Sequence, residues 1–157
     1  MATTLDARTL SITRHFKAPR AAVWRCWSEG DLLKQWYCPK PWTVSEVTLD
    51  LRAGGVFNTT FNGPAGEVMP NFGQLLDVSV GERLTFTDAY IGDWQHGANA
   101  PFVTGYIILN DAPDGGTHME WGARHWTDEA VEQHKAMGFE AGWNAAADQL
   151  DVLAQSI

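Results

Sequence analysis

The segment from residue 128 to residue 157 restricts the possible folds most, because it contains no proline and carries a helical apolar stripe. Thr127 is a good N-cap, and Asp128 and Glu129 follow at the positive end of the helix dipole. Apolar side chains then recur at steps of three and four, which predicts one long helix from residue 128 to about residue 156. The stripe consists of Phe139, Trp143, Ala146, Ala147, Leu150, Leu153 and Ile157. Such a helix needs a second layer against which to bury this stripe.

The remainder of the chain is predicted to supply that layer as β-strands. Residues 9–16 alternate apolar and polar side chains, which indicates a half-buried first strand. Beyond Trp42, β-branched and aromatic runs are separated by clusters of Gly, Pro, Asn and Asp, a pattern typical of antiparallel strands. These later strands are predicted at residues 43–50, 55–62, 73–79, 83–90, 102–110 and 117–126. The predicted fold class is therefore α+β, with an antiparallel meander facing the C-terminal helix.

Two short helices are predicted directly after the first strand. Pro19 suits a first helical position, and Trp24 and Trp27 fall on one face of the helix that follows. Ser28 can cap a second short helix, whose buried side includes Trp36. The sheet is thus interrupted early by helical structure.

Length and charge limit the classes of protein that the chain can represent. Its 157 residues fit a single domain over residues 1–157. No stretch approaches the ~20 apolar residues that cross a bilayer, and the start lacks an apolar signal segment, so we expect a cytoplasmic protein without a membrane partner. The net charge of -8 and the scattered basic residues disfavour a nucleic-acid partner. Cys26 and Cys38 are expected to be reduced thiols.

The side chains that could carry chemistry form no recognisable catalytic or metal motif. His125 and His134 lie nine residues apart across the predicted strand–helix junction, which is not the spacing of zinc ligands, so no metal is expected. His125 falls on the apolar face of the last predicted strand. We favour a hydrogen-bonded histidine at the strand–helix junction over an acid or base in a cavity. Without a GxSxG or Cys–His signature, no catalytic residue and no cofactor is assigned.

The C-terminal helix contains several small residues around Trp143, including Gly138 and Gly142. Each glycine inside a helix costs about 0.5–1 kcal/mol relative to alanine, so something must offset that cost. Either a strand or aromatic ring approaches the helix very closely, or the missing side-chain volume is space for a ligand. We favour close approach, although both explanations can apply together.

Three segments of the chain share a pattern with a known family. They are HFKAPRAAVWRCW from residue 15 with its continuation to Trp36, DLRAGGVF from residue 50, and MGFEAGW from residue 137 with its continuation to Leu150. Together they resemble the family named for the C-terminal domain of the heat-shock-protein-90 ATPase activator, within the START-like or SRPBCC superfamily. The resemblance implies a helix-grip fold, in which a bent sheet wraps the C-terminal helix and leaves a cavity between them.

The resemblance implies several functions, because relatives include lipid carriers, plant ligand-binding proteins, polyketide cyclases and co-chaperones. Our leading hypothesis is that a small hydrophobic or aromatic molecule binds between the sheet and the C-terminal helix. The alternative is a cofactor-independent enzyme on the same scaffold, similar to a polyketide cyclase or a hydrolase. A third hypothesis is a co-chaperone that stimulates a heat-shock-protein ATPase. A chaperone partner is disfavoured, because the activator's other domain has no room in this chain.

The inward positions of the strands and helices predict which side chains line the cavity. Strand alternation and the family register give an apolar wall with few polar groups, as is usual for small-molecule pockets. The predicted ligand-binding residues are Trp36, Phe57, Thr59, Phe61, Leu76, Phe86, Trp121, His125, Met137 and Trp143. A homodimer is a further expectation, because Tyr37 and Trp42 are predicted to expose aromatic rings near the first helices.

Overall fold

Antiparallel strands form most of the structure, a computed structural model that describes residues 7–157. The strands are β1 (Thr9–Phe16), β2 (Thr43–Leu49), β3 (Phe57–Asn62), β4 (Val68–Asn71), β5 (Gln74–Ser79), β6 (Arg83–Thr87), β7 (Val103–Asp111) and β8 (Thr117–His125). The helices are α1 (Arg20–Ser28), α2 (Gly30–Leu33), α3 (Asp128–Ala136) and α4 (Phe139–Ser156). This order confirms the predicted α+β class and the two short helices after the first strand. No helix within residues 7–157 has the length and apolar character needed to cross a membrane.

The strands form two antiparallel sheets rather than one meander. Five strands lie in the order β1-β8-β7-β6-β5, and three lie in the order β2-β3-β4. The sheets meet where Gly73 accepts a hydrogen bond from Phe57 N at 2.9 Å and Val56 bridges Gln74. A side chain at Gly73 would place its Cβ 2.8 Å from the Thr87 carbonyl oxygen, so only glycine fits at this bend.

Strand β4 is absent from the sequence prediction. All four of its residues are exposed, so it has no alternation between a buried and an exposed face. Pro70 lies within it, and proline is confined to edge strands because it cannot donate a backbone hydrogen bond. Both features match an edge strand that pairs only with β3.

The predicted single helix over residues 128–156 is wrong, because the helical segment breaks at Gly138. Thr127 caps α3 as predicted, accepting a hydrogen bond from Ala130 N at 3.1 Å. Gly138 then adopts a left-handed conformation with φ of +85°, which separates α3 from α4. The apolar spacing continues across the break, so periodicity alone does not reveal it. The caps of α1 and α2 also differ from prediction: Pro19 precedes α1, and Glu29 rather than Ser28 precedes α2.

The C-terminal part of α4 packs into the main core. Ala146, Ala147, Leu150 and Ala154 are buried, whereas Ile157, the last residue of the predicted stripe, is exposed. Gln149 links this part of α4 to the segment after α2. Its side-chain N–H groups donate hydrogen bonds to the Trp36 and Cys38 carbonyl oxygens at 3.0 and 2.9 Å. On the other side, Arg14 of β1 forms an ion pair with Asp148 at 2.6 Å. These contacts fix α4 across β1 and leave its first turns to line the candidate site.

Candidate ligand-binding cavity

A cavity of about 420 Å³ lies between the first turns of α4 and the inner faces of β3, β6 and β8. Its wall is mainly aromatic and aliphatic. Strand β3 contributes alternate residues, so period-two geometry places Phe57, Thr59 and Phe61 on the same wall. The Tyr37 and Cys38 side chains, after α2, close the side nearest the core.

The glycines of the C-terminal segment leave part of this cavity empty. Gly138 and Gly142 both line it, and a Cβ built on either residue meets no other atom within 4 Å. Close approach of a strand or ring, the explanation favoured from the sequence, is therefore wrong at these two positions. At Gly142, which is half-buried, the missing side-chain volume is open space beside the cavity wall, whereas Gly138 is exposed.

Stacked and edge-on rings hold the aromatic wall together. Trp143 of α4 stacks on Trp121 of β8, with ring centroids 4.3 Å apart and planes 27° from parallel. Tyr37 stacks on Trp121 at 6.1 Å, and Phe57 meets Phe86 edge-on at 4.9 Å. Such ring pairs add about 0.5–1.5 kcal/mol each beyond the burial of their area. These contacts hold the aromatic side chains of the wall against one another.

Of the ten residues predicted to bind a ligand, the structure places seven on the cavity wall. These are Phe57, Thr59, Phe61, Phe86, Trp121, Met137 and Trp143. The other three lie elsewhere. Trp36 is in the core behind the wall, where its indole N–H donates to the Cys26 carbonyl oxygen at 2.9 Å.

Leu76 and His125 miss the cavity for different reasons. The pairing of β5 with β6 shifts between Leu75 and Asp77, so Leu76 is the extra residue of a β-bulge and Leu75 occupies the buried position. His125 is buried at the junction of β8 and α3, where its Nδ1 lies 2.9 Å from the Arg8 carbonyl oxygen. The preferred interpretation of His125 as a hydrogen-bonded junction residue is thus confirmed.

The second histidine, His134 of α3, occupies the place on the wall that was predicted for His125. Its Nδ1 lies 2.8 Å from His125 Nε2, and its ring packs against Phe102, Phe139 and Trp143. Burial, with a smaller contribution from His125, lowers the pKa of His134 to about 4. His134 is therefore neutral at physiological pH.

The remaining polar groups of the wall are held by the protein or remain uncharged. The Asp88 carboxylate accepts hydrogen bonds from the Phe102 and Val103 backbone N–H groups, at 3.0 to 3.2 Å. Burial raises the pKa of the Cys38 thiol to about 11 and raises the pKa of the Tyr37 hydroxyl above its usual value. Both groups therefore stay protonated at neutral pH, and the cavity presents little charge.

Three residues of the cavity wall have exposed apolar side chains. Phe72 and Met137 are 60% and 65% exposed, and Met69 of β4 is 47% exposed. Tyr37 faces the cavity, which contradicts the expected aromatic surface at the first helices, and Trp42 is half-buried. Self-association remains a prediction, but the exposed aromatic surface formed by Tyr37 and Trp42, on which it was based, is not found.

Several cavity residues escaped the sequence prediction. His134 follows Val131 by three residues, so the helical period could have placed both on one buried face. Met69 and Phe72 belong to the undetected β4 region and the turn after it. Phe102 precedes β7 in a long connection, and no local pattern predicts that it meets His134.

Comparison with known proteins agrees with this architecture. The model of the AHSA1 family, described as activator of Hsp90 ATPase homolog 1-like protein, matches residues 17–155. A crystal structure of a protein from Nitrosomonas europaea is 35% identical, with a TM-score of 0.91 and 96% of each chain covered. A protein from Mycobacterium smegmatis is 28% identical, with a TM-score of 0.78, 95% of this chain covered and 91% of the other. No curated protein gives a match.

A more distant structure supports the fold alone. The AHSA1 protein from Silicibacter pomeroyi is 23% identical, with a TM-score of 0.73, 95% of this chain covered and 99% of the other. The helix-grip expectation is consistent with these neighbours and with the observed sheets and C-terminal helix. The protein belongs to the AHSA1 family of START-like folds, as the sequence resemblance predicted. Proteins of this fold family commonly bind small ligands.

Proposed function

We propose that this protein binds a small apolar or aromatic molecule in the cavity between the sheets and α4. The observation that carries the proposal is the empty space beside Gly142, in a cavity that the stacked Trp121–Trp143 pair also lines. The cavity volume of about 420 Å³ falls within the range of roughly 300–1,000 Å³ that is typical of ligand pockets. Its mainly aromatic and aliphatic wall complements a largely apolar molecule.

The helix would be more stable if the cavity were filled. Alanine at Gly142 would improve helix propensity by about 0.5–1 kcal/mol, and no neighbouring atom stands in its way. Protein interiors are ordinarily close-packed, so open space beside buried aromatic rings also forfeits packing energy. Binding of a ligand to the folded state offsets both costs.

The enzyme alternative could use four titratable side chains of the cavity wall: Tyr37, Cys38, Asp88 and His134. None is suited to general acid–base catalysis at neutral pH, and burial raises the pKa values of Tyr37 and Cys38 well above neutrality. Effective catalytic groups have a pKa near the working pH, whereas the pKa of His134 is lowered to about 4. The Asp88 carboxylate is occupied by backbone N–H groups. These features favour a binding site over a catalytic one.

The test is a thermal-shift screen with fatty acids, sterols, flavonoids and aromatic polyketides. A ligand at 100 times its dissociation constant adds about 2.7 kcal/mol to the free energy of unfolding. For a domain of this size, that raises the Tm by roughly 5–11 °C. A bound ligand should also quench tryptophan fluorescence, because Trp121 and Trp143 line the cavity.

Two variants with the same side chain give a matched control. Gly142→Phe places a ring in the cavity, whereas Val152→Phe places it on the solvent side of the same helix, where Val152 is 72% exposed. We expect Gly142→Phe to abolish the thermal shift and Val152→Phe to retain it. A screen without any shift, or a shift that survives in Gly142→Phe, contradicts binding in this cavity.

A further inference from the structure

The two buried histidines form a hydrogen-bonded chain that ends at the cavity. The chain begins at the Arg8 carbonyl oxygen, which lies 3.0 Å from the His125 backbone nitrogen and 2.9 Å from His125 Nδ1. It continues from His125 Nε2 to His134 Nδ1 at 2.8 Å. His125 and His134 are 7% and 8% exposed, and of the two only His134 reaches the cavity wall.

The carbonyl oxygen at the start of the chain sets the proton positions along it. A carbonyl oxygen only accepts hydrogen bonds, so His125 Nδ1 must carry a proton. In a neutral His125 ring, Nε2 is then an acceptor, and His134 Nδ1 must donate to it. A neutral His134 ring in this tautomer has an unprotonated Nε2. Among residues 7–157, no side chain or backbone group hydrogen-bonds to that atom.

The opposite proton arrangement requires a charged histidine in the interior. His134 Nδ1 could accept a hydrogen bond only if His125 carried protons on both nitrogens. That would place a positive charge on a ring that is packed edge-on against Phe102 and His134, where desolvation is unfavourable. The neutral chain is therefore the favoured state, and it presents a lone pair at the His134 end.

The surroundings of this lone pair define what can satisfy it. Three aromatic rings, those of Phe102, Phe139 and Trp143, pack around His134. The Asp88 carboxylate, which lines the same cavity, is also an acceptor, and backbone N–H groups already occupy it. A second acceptor placed here, such as a ligand carboxylate, would leave lone pairs facing each other, whereas a hydroxyl or N–H group would pair with His134.

We infer that His134 Nε2 is a specificity-determining acceptor, and that the cavity takes a neutral aromatic ligand bearing a hydroxyl or N–H donor. This inference rests on the proposed function, because it names the ligand chemistry of the same cavity. His125 acts on the ligand only through His134, as a positioning residue that fixes the tautomer.

The tautomer can be measured without any ligand. Long-range ¹⁵N–¹H correlation spectra of the histidine rings distinguish a protonated from an unprotonated ring nitrogen. At pH 7.5 we expect His134 to be protonated at Nδ1 alone, and His125 to be protonated at Nδ1 alone. A His134 ring protonated at Nε2 would overturn the inference, whatever the cavity binds.

The ligand chemistry can be measured with two probes that share one ring system, 2-naphthol and 2-methoxynaphthalene. The first donates a hydrogen bond, and the second cannot. We expect replacement of His134 by phenylalanine to weaken 2-naphthol about five-fold and to leave 2-methoxynaphthalene unchanged within a factor of about two. Isothermal titration calorimetry gives both dissociation constants. His118→Phe, on β8 outside this cavity, is the matched control and should change neither.

The outcomes separate this inference from the proposed function. If both probes bind wild-type protein and His134→Phe weakens both equally or neither, the acceptor role is overturned and binding in the cavity stands. If neither probe binds and the wider screen gives no thermal shift, the proposed function fails and the inference fails with it. If His134→Phe does not fold, the histidine spectra of wild-type protein decide the question.

Discussion

The two parts of helix α4 contain similarly small residues but have different surroundings. In the half from residue 147 to residue 156, Ala147 and Ala154 are buried, and the helix packs against the core. In the first turns, Gly142 faces open space, and the nearest wall is formed by aromatic rings. Small residues therefore serve close packing in one half and preserve a cavity in the other.

The difference shows that residue size does not by itself reveal the purpose of a small side chain. Alanine keeps good helix propensity and still permits close approach, which suits the buried Ala147 and Ala154. Glycine sacrifices propensity, and at Gly142 no close contact compensates for the loss. A glycine in an open position is thus a stronger indication of a binding cavity than an alanine in a packed one.

The largest expected effect tests the packed half. Leu150 is completely buried, so Leu150→Ala should lower the free energy of unfolding by about 2–5 kcal/mol through lost burial and a new cavity. Val152→Ala, two residues away on the exposed side, should change it by less than about 0.5 kcal/mol. Urea denaturation measures both. Similar losses for the two variants would contradict the packing described for this half.

A smaller effect, dependent on pH, tests the cavity side, where His134 of α3 packs against Phe139 and Trp143 of α4. The ordinary pKa of histidine is about 6.5, and burial lowers that of His134 to about 4 in the folded protein. The fold therefore favours the neutral ring. The neutral ring therefore contributes fully to the free energy of unfolding above about pH 6.5, and this contribution is lost as the pH falls towards 4.

We expect wild-type protein to lose about 2–3 kcal/mol more stability between pH 7 and pH 4.5 than His134→Phe loses. Urea denaturation of both proteins at the two pH values gives this difference, in which the titration of other groups cancels. Leu150→Ala should lose the same amount as wild type, since its site is apolar. Equal pH dependence in wild type and His134→Phe would show that His134 is not desolvated as described.

The smallest effect separates the two glycines at the start of α4. Gly142→Ala should raise the free energy of unfolding by about 0.5–1 kcal/mol, because the site is helical and open. Gly138→Ala should lower it by about 1–2 kcal/mol, because φ of +85° is unfavourable for a residue with a Cβ. Thermal denaturation of the pair measures both signs. The same sign for both would contradict the break at Gly138.

Local hydrophobic patterns predicted the strands and helices of this fold better than they predicted edge strands and helix breaks. Alternation identified the strands with a buried face, and helical spacing identified the stripe of α4. The exposed residues of β4 and the left-handed Gly138 left no such pattern, because neither depends on which face is buried.

The cavity-lining residues were predictable where the alternation of a strand determines which side chains point inward. The period of two residues in a strand predicts that Phe57, Thr59 and Phe61 share a face. The bulge at Leu76 reverses which side chains point inward, and no sequence pattern predicts that bulge. The histidine chain depends on His125 and His134 meeting across a turn whose path is set by tertiary packing. The proposed role of this chain, which is to place an acceptor at His134, depends on the distances from Arg8 to His125 and from His125 to His134.

The break at Gly138 also bears on how such a protein can diversify. Helix α4 is bound to the core through Leu150 and Gln149, so substitutions there threaten the whole structure. Helix α3 is joined to it through a single left-handed glycine, and it carries His134 to the cavity wall. Mutations in α3 can therefore alter what the cavity accepts while the core stays intact, which gives the scaffold a segment where new ligand preferences can arise at low risk to folding.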